Sequence, residues 1–135
     1  MIVSTRGRYA LRVMIDLTEH NDGGYVPLND IAKRQGISEK YLESVVAALV
    51  KAGLLEGLRG KKGGYRLTKR PEEYTVGSVL RLTEKSLAPV ACLDCEENTC
   101  ERRDTCKTLP LWKKLDALLE GFFDGINFKE LTEGL

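Results

Sequence analysis

Residues 29–67, NDIAKRQGISEKYLESVVAALVKAGLLEGLRGKKGGYRL, constrain this chain more than any other stretch. Asn29 is placed to cap a short helix through Ile31 and Ala32, which Gly36 ends by taking the left-handed conformation. Ser38 caps the next helix, on which Leu42, Val45, Val46, Leu49 and Val50 recur along one face before Gly53 stops it. Two helices joined through Gly-Ile-Ser form a helix-turn-helix pattern. LLEGLRGKKGGYRLT then reads as strand, tight turn and strand, with Gly60, Gly63 and Gly64 giving the tip its backbone freedom. A hairpin directly after a helix-turn-helix predicts a winged helix. The glycines do not form a phosphate loop, because no Gly-Lys-Ser/Thr follows and the chain continues as a strand.

The flanking segments complete a mainly α fold with one small β-hairpin. Ala10, Val13, Met14 and Leu17 predict a first helix from Ser4 or Thr5 to about Glu19, followed by an Asn-Asp-Gly-Gly turn and an extended link at Tyr25–Pro27. After the hairpin, RPEEYT serves as a connector, and Thr75 caps a fourth helix carrying Val76, Val79, Leu80 and Leu82. A long helix over about residues 109–124 presents Leu111, Leu115, Leu118, Leu119, Phe122 and Phe123, and a short segment follows near residues 128–131. That apolar face is wider than one small winged helix can cover, which predicts a homodimer built on the long helix. The expected organisation is a winged helix-turn-helix region over residues 1–70. Residues 71–135 then hold a connector helix, a cysteine loop at 92–106 and the long C-terminal dimerisation helix.

A net charge of +1 hides an uneven distribution. Residues 1–70 carry 13 Lys/Arg against 7 Asp/Glu, or +6, and residues 71–135 carry 8 against 13, or −5. A basic winged helix is expected to meet a polyanion, and double-stranded DNA fits, since a helix fills the major groove and its N-terminal residues meet base edges. On the second helix of the motif those residues are Ser38, Lys40, Tyr41, Glu43 and Ser44. At the wing tip, Arg59, Lys61 and Lys62 have no apolar residue among them and suit phosphate contact or minor-groove insertion. A winged helix that serves only protein contacts is the alternative. The longest apolar run, Val45–Val50, is far below the ~20 residues of a membrane span. With no apolar export signal at the N-terminus, a cytoplasmic protein is expected. No nucleophile paired with a base and no nucleotide loop is visible, so no enzyme is expected.

All four cysteines fall within CLDCEENTCERRDTC, residues 92–106, spaced C-x2-C-x4-C-x5-C. In a reducing compartment such a group points to metal or redox chemistry before disulfides. Thiolates suit both an iron–sulfur cluster and a closed zinc site, although zinc ribbons usually offer two tight pairs and only Cys92 with Cys95 forms one. A thiol redox switch is a third reading of the spacing.

STRGRYALRVMIDL, the VPLNDIAKRQGISEKYLESVVAALVKAGLLEGLRGKKGGYRLT segment, YTVGSVLRLTE and the cysteines before LPLWKKL together resemble the family of bacterial winged-helix regulators that includes IscR, NsrR and CymR. The resemblance covers nearly the whole chain. It implies a homodimeric repressor or activator with an iron–sulfur cluster on the loop before its long helix, 2Fe–2S in preference to 4Fe–4S, acting on iron–sulfur biogenesis genes. It implies operator-sorting roles for Tyr41 and Glu43, a minor-groove role for Arg59, and ligand roles for Cys92, Cys100 and Cys106. The chain departs from the pattern at four places. Lys61 and Lys62 replace a tip richer in glycine and proline. Leu109 stands where IscR-type members place a histidine ligand, and Arg8 where NsrR-type members can supply an aspartate. His20, the only histidine, closes the first helix and reads as a cap or surface residue. Cys95 is therefore the candidate fourth ligand.

Overall fold

The computed structural model describes residues 3–135. Helix α1 (Thr5–Glu19) starts where the Ser4 hydroxyl accepts from the Gly7 amide at 3.0 Å, and it buries Ala10, Val13, Met14 and Leu17. Helix α2 (Leu28–Gln35) begins one residue before the expected Asn29 cap: Pro27 holds the cap position, and Asn29 lies exposed in the first turn. Proline needs no amide partner there, and its carbonyl accepts from the Asp30 and Ile31 amides at 3.1 and 3.3 Å. Gly36 ends α2 at φ 65°, as its left-handed role requires. Ser38 then accepts from the Tyr41 amide at 3.2 Å to open α3 (Glu39–Lys51).

Strands β1 (Leu55–Leu58) and β2 (Gly64–Leu67) pair antiparallel, with Leu55 opposite Leu67 and Leu58 opposite Gly64. The link expected at Tyr25–Pro27 also belongs to the wing, because Val26 and Tyr65 exchange two backbone hydrogen bonds of 2.8 Å. Gly64 permits this approach. Its φ is +152°, and a Cβ there would lie 2.2 Å from the Val26 carbonyl oxygen. The wing is therefore tied to the start of α2 as well as to the end of α3.

Past a 3₁₀ turn at Pro71–Glu73 come α4 (Val76–Thr83), α5 (Leu109–Asp124) and α6 (Phe128–Glu133). Thr75 accepts from the Ser78 amide at 3.1 Å, and Asn127 caps α6 in a reciprocal box with Glu130. Helices α4 and α6 pack on α1, so Tyr74, Val79 and Phe128 share one core with the winged helix. Tyr74, which lies in the expected connector, is 2% exposed. Its hydroxyl accepts from the Thr68 and Lys69 amides at 2.9 and 2.8 Å and donates to the Leu54 carbonyl at 2.8 Å, pinning the base of the wing.

Among the described residues, Asp16 is the buried charged side chain of this core, at 1% exposure. Arg34 donates to its two oxygens at 2.7 and 3.0 Å, and Gln35 Nε2 donates at 3.0 Å. Burial pushes the Asp16 carboxyl upward, but the hydrogen bonds and charge of Arg34, with Gln35, outweigh it and hold the group below its ordinary value. Because the folded-state value is depressed, Asp16 contributes its full stability above the unfolded-state value, and that contribution disappears as pH falls through the lower folded one. Asp16→Ala should cost about 1–3 kcal/mol in urea unfolding at neutral pH, since the hydrogen bonds to the carboxylate are lost while Arg34, 35% exposed, can be solvated. The variant should also lose less stability between pH 5 and pH 3 than the parent.

Candidate DNA interface and cysteine loop

The buried face of α3, with Leu42, Val45, Val46 and Leu49 each at 0% exposure, fixes which side chains point outward. Ser38, Lys40, Tyr41, Glu43 and Ser44 are all exposed at its N-terminal end. The helix has two distinct flanks here. On one, Glu39 and Glu43 face the wing across a groove of about 770 Å³, whose far wall includes Gly57, Leu58, Arg59 and Tyr65. On the other, the Tyr41 ring meets Tyr9 of α1 edge-on at 5.3 Å, and the Ser44 carbonyl accepts from Arg6 at 3.3 Å. Glu39 was not singled out in the sequence, although it lies four residues before Glu43 and so shares its helix face.

Arg59, Lys61 and Lys62 are exposed at the wing tip, and among the described residues none of them is ion-paired. Nearer the base, Arg66 pairs with Glu56 across the strands and lies 4.4 Å from the Tyr25 ring centroid. The base of the wing thus uses its cation internally, and the tip leaves its cations to solvent.

Between α4 and α5 the chain makes one short 3₁₀ turn, Ala91–Leu93, and otherwise turns and bends. The four thiols are free; Cys95 and Cys100 are exposed, and Cys92 and Cys106 are half-buried. Local bonds shape the loop: the Asn98 side chain accepts from the Cys100 amide at 3.0 Å, and the Cys100 carbonyl accepts from the Arg103 amide at 3.1 Å and from its guanidinium at 3.0 Å. Cys106 Sγ lies 3.3 Å from the Thr108 hydroxyl. That hydroxyl, then backbone groups at Thr108 and Leu109 and the charge of Arg102, hold the thiol below its ordinary range. Among the described residues, no group of three or more His, Cys, Asp or Glu side chains stands ready to hold a metal ion. The donor set fits an iron–sulfur cluster in kind, with four reduced thiols on one irregular segment, but the loop is not closed around a centre.

The remaining candidates lie apart from such a role. Leu109 is the first residue of α5, and the Arg8 guanidinium donates to the Thr5 hydroxyl on its own helix at 3.2 Å. His20 is the C-cap of α1, its Nδ1 2.8 Å from the Asp16 carbonyl oxygen and 3.7 Å from the Asp16 carboxylate.

Helix α5 carries two apolar stripes and no fully buried residue. Leu109, Trp112, Leu119 and Phe123 are half-buried on the inner side, where α5 packs on α4 and Arg81 grips Asp124 at 2.7 and 2.9 Å. Leu111, Leu115, Leu118 and Phe122 form a second stripe at 56, 36, 71 and 59% exposure, spaced four, three and four residues apart. The broad face expected from the sequence therefore divides, with Leu119 and Phe123 turned toward the protein's own α4 side.

A helix-turn-helix with an exposed N-terminal face, next to a hairpin with a cationic tip, defines a winged-helix transcription regulator. The Rrf2 family, described as iron-dependent transcriptional regulators, matches residues 3–134, and the chain belongs to that family. Similar relatives include the HTH-type transcriptional regulator IscR of Aliivibrio salmonicida, 41% identical over 97% of this chain and 77% of that protein. IscR of Serratia proteamaculans is 40% identical over 98% and 79%. Among solved structures, CymR, the global cysteine regulator of B. subtilis, aligns at TM-score 0.80 and 33% identity over 98% of this chain and 97% of that one. T. potens IscR aligns at 0.79 and 36% over 98% and 87%. These relatives are regulators of transcription, not enzymes.

The accessible loop predicts that all four thiols of the metal-free protein react with a disulfide reagent without denaturant. Cys106→Ser should remove the fastest phase at pH 7, since the thiolate is the reacting form.

Proposed function

We propose that this chain is a cytoplasmic, homodimeric repressor that reads double-stranded operator DNA with α3 and the wing, and whose operator affinity is set by an iron–sulfur cluster on the 92–106 loop. The observation that carries this reading is the pairing of a winged-helix unit with four free thiols on one irregular loop. In this reading, residues 1–70 read DNA and residues 71–135 sense and dimerise. Lys40, Tyr41 and Glu43 meet base edges or phosphate between Ser38 and Ser44, and Arg59, Lys61 and Lys62 follow the adjacent backbone and minor groove. Genes of iron–sulfur assembly are the proposed targets, on the resemblance to regulators of the IscR type.

Cys92, Cys100 and Cys106 are the proposed ligands, with Cys95 as the fourth. The two-residue gap lets Cys92 and Cys95 turn toward one centre, as in ferredoxin-type motifs. A bound cluster, 2Fe–2S in preference to 4Fe–4S, would supply a state sensitive to iron supply and oxidants. The chain's own part is to hold the thiolates and order the loop. Ordering between α4 and α5 biases both helices, and α4 packs on α1 and α3.

The second α5 stripe supports the dimer, because an exposed row of Leu111, Leu115, Leu118 and Phe122 at coiled-coil spacing calls for a matching row on a second copy. Sedimentation should give about 30 kDa, twice the 15.1 kDa chain, and Leu118→Glu should give the monomer. A monomeric parent at micromolar concentration would defeat the dimer.

Protein purified without oxygen should carry iron and acid-labile sulfide and absorb in the visible. Serine at Cys92, Cys100 or Cys106 should abolish that absorption, and Cys95→Ser should alter the spectrum or speed its loss in air. A colourless zinc protein would overturn the cluster reading, and an unchanged Cys95→Ser would remove Cys95 from the ligand set.

A further inference from the structure

The side of α3 away from the wing is lined by a stripe on α1 with three-residue spacing. Arg6 reaches the Ser44 carbonyl at 3.3 Å, Tyr9 meets the Tyr41 ring at 5.3 Å, and Arg12 bonds the Gln35 side chain at 3.1 Å and also its carbonyl. The guanidinium of Arg12 also lies 5.5 Å from the Tyr9 ring centroid, so two of its nitrogens are tied to Gln35 of α2 and its face is covered. Arg6 differs. Among the described residues its guanidinium donates to one exposed carbonyl and has no ion pair. A guanidinium has five N–H donors, so most remain free beside an exposed serine of the recognition helix.

We propose that Arg6 is a second phosphate clamp, which grips the DNA backbone on the α1 side of α3 while Arg59, Lys61 and Lys62 grip it on the wing side. A helix seated in the major groove has a phosphate backbone along each of its flanks. The wing supplies cations to one flank, across the groove lined by Glu39 and Glu43. Of the two guanidiniums on the α1 stripe, Arg6 is the less engaged and the one that touches α3, so it is the one placed to supply the other flank. Tyr9 assists as a positioning residue, since its ring braces Tyr41 and so sets the distance between α1 and α3. A forked guanidinium suits a phosphate, and the contact carries no sequence preference of its own.

The inference rests on the DNA-reading proposal, and the test separates the two. Binding isotherms for two duplexes of equal length, one selected by the parent protein from a random pool and one of random sequence, are measured between 50 and 200 mM salt. Each phosphate contact contributes ~0.9 to the slope of log affinity on log salt. Arg6→Ala should therefore lower the slope on both duplexes by about 1 per protomer, which flattens the change in affinity over that range by about threefold per protomer. Arg6→Lys should restore the slope and shows that charge, rather than folding, is read. Arg8→Ala removes the same charge from the same helix turn, on a side chain two residues on that points to a different face of α1 from Arg6 and bonds back to Thr5, and should leave the slope unchanged. If Arg59→Ala lowers the slope and Arg6→Ala does not, DNA binding stands and the Arg6 clamp is wrong. If the parent shows no salt-dependent binding to either duplex, the DNA reading fails and the clamp with it.

Discussion

Helix α1 is the constraint on which the rest of this structure depends. Its buried residues face two ways at once, toward α2, α3 and β2 of the winged helix and toward α4 and α6 of the C-terminal region. Apolar area alone would let such a helix slide or rotate by a residue, because burial is non-directional. Two polar attachments remove that freedom. At its C-terminal end, the buried Asp16 carboxylate takes three hydrogen bonds from Arg34 and Gln35 at the end of α2. At its start, Glu84 at the end of α4 accepts from the Ser4 amide at 3.0 Å and its hydroxyl at 2.6 Å. Gly7 makes room for that contact, since a Cβ there would meet Glu84 Oε1 at 2.2 Å.

This arrangement gives a physical route from the cysteine loop to the DNA-reading face. The segment leading to the loop leaves α4 just after Glu84, Glu84 holds the first turn of α1, and Arg6 and Tyr9 of α1 touch Ser44 and Tyr41 of α3. The winged helix is over-determined by comparison with the loop. Tyr74 pins the wing base, Val26 pairs into the sheet, and Gly36 and Ser38 fix the turn between α2 and α3. The loop has short-range bonds and exposed thiols, which suits a segment whose order is supplied by what it binds.

The winged helix was legible in the sequence because its signals are local. Ser4, Ser38 and Thr75 cap where their spacing says they should, and Gly36 takes the left-handed conformation. What was missed depends on residues far apart in the chain. Nothing near Val26 announces that it pairs with Tyr65, and nothing near Tyr74 announces that Leu54 accepts its proton. Asp16 did leave a trace, since it sits between Val13 and Leu17 on the buried face of α1, where an aspartate requires a partner. For α5, the sequence counts the apolar residues but cannot tell which stripe α4 covers. Of the candidate site, residue identity and exposure could be read in advance, as at Lys40 and Arg59. The α1 flank could not, because Arg6 reaches Ser44 across 38 residues of chain.

The central claim is that the state of the cysteine loop sets how tightly the winged helix holds DNA, and the direct measurement is operator affinity with the loop loaded and stripped. Protein isolated without oxygen is divided, one portion is freed of iron by chelation, and both are titrated against the same selected duplex at one salt concentration. On this account the two affinities differ by fivefold or more, the scale of a ~1 kcal/mol coupling between sites. The difference should vanish when Cys92 is serine. Equal affinities from two portions shown by iron content to be loaded and stripped would contradict the account and leave a DNA-binding protein whose cysteines do something else.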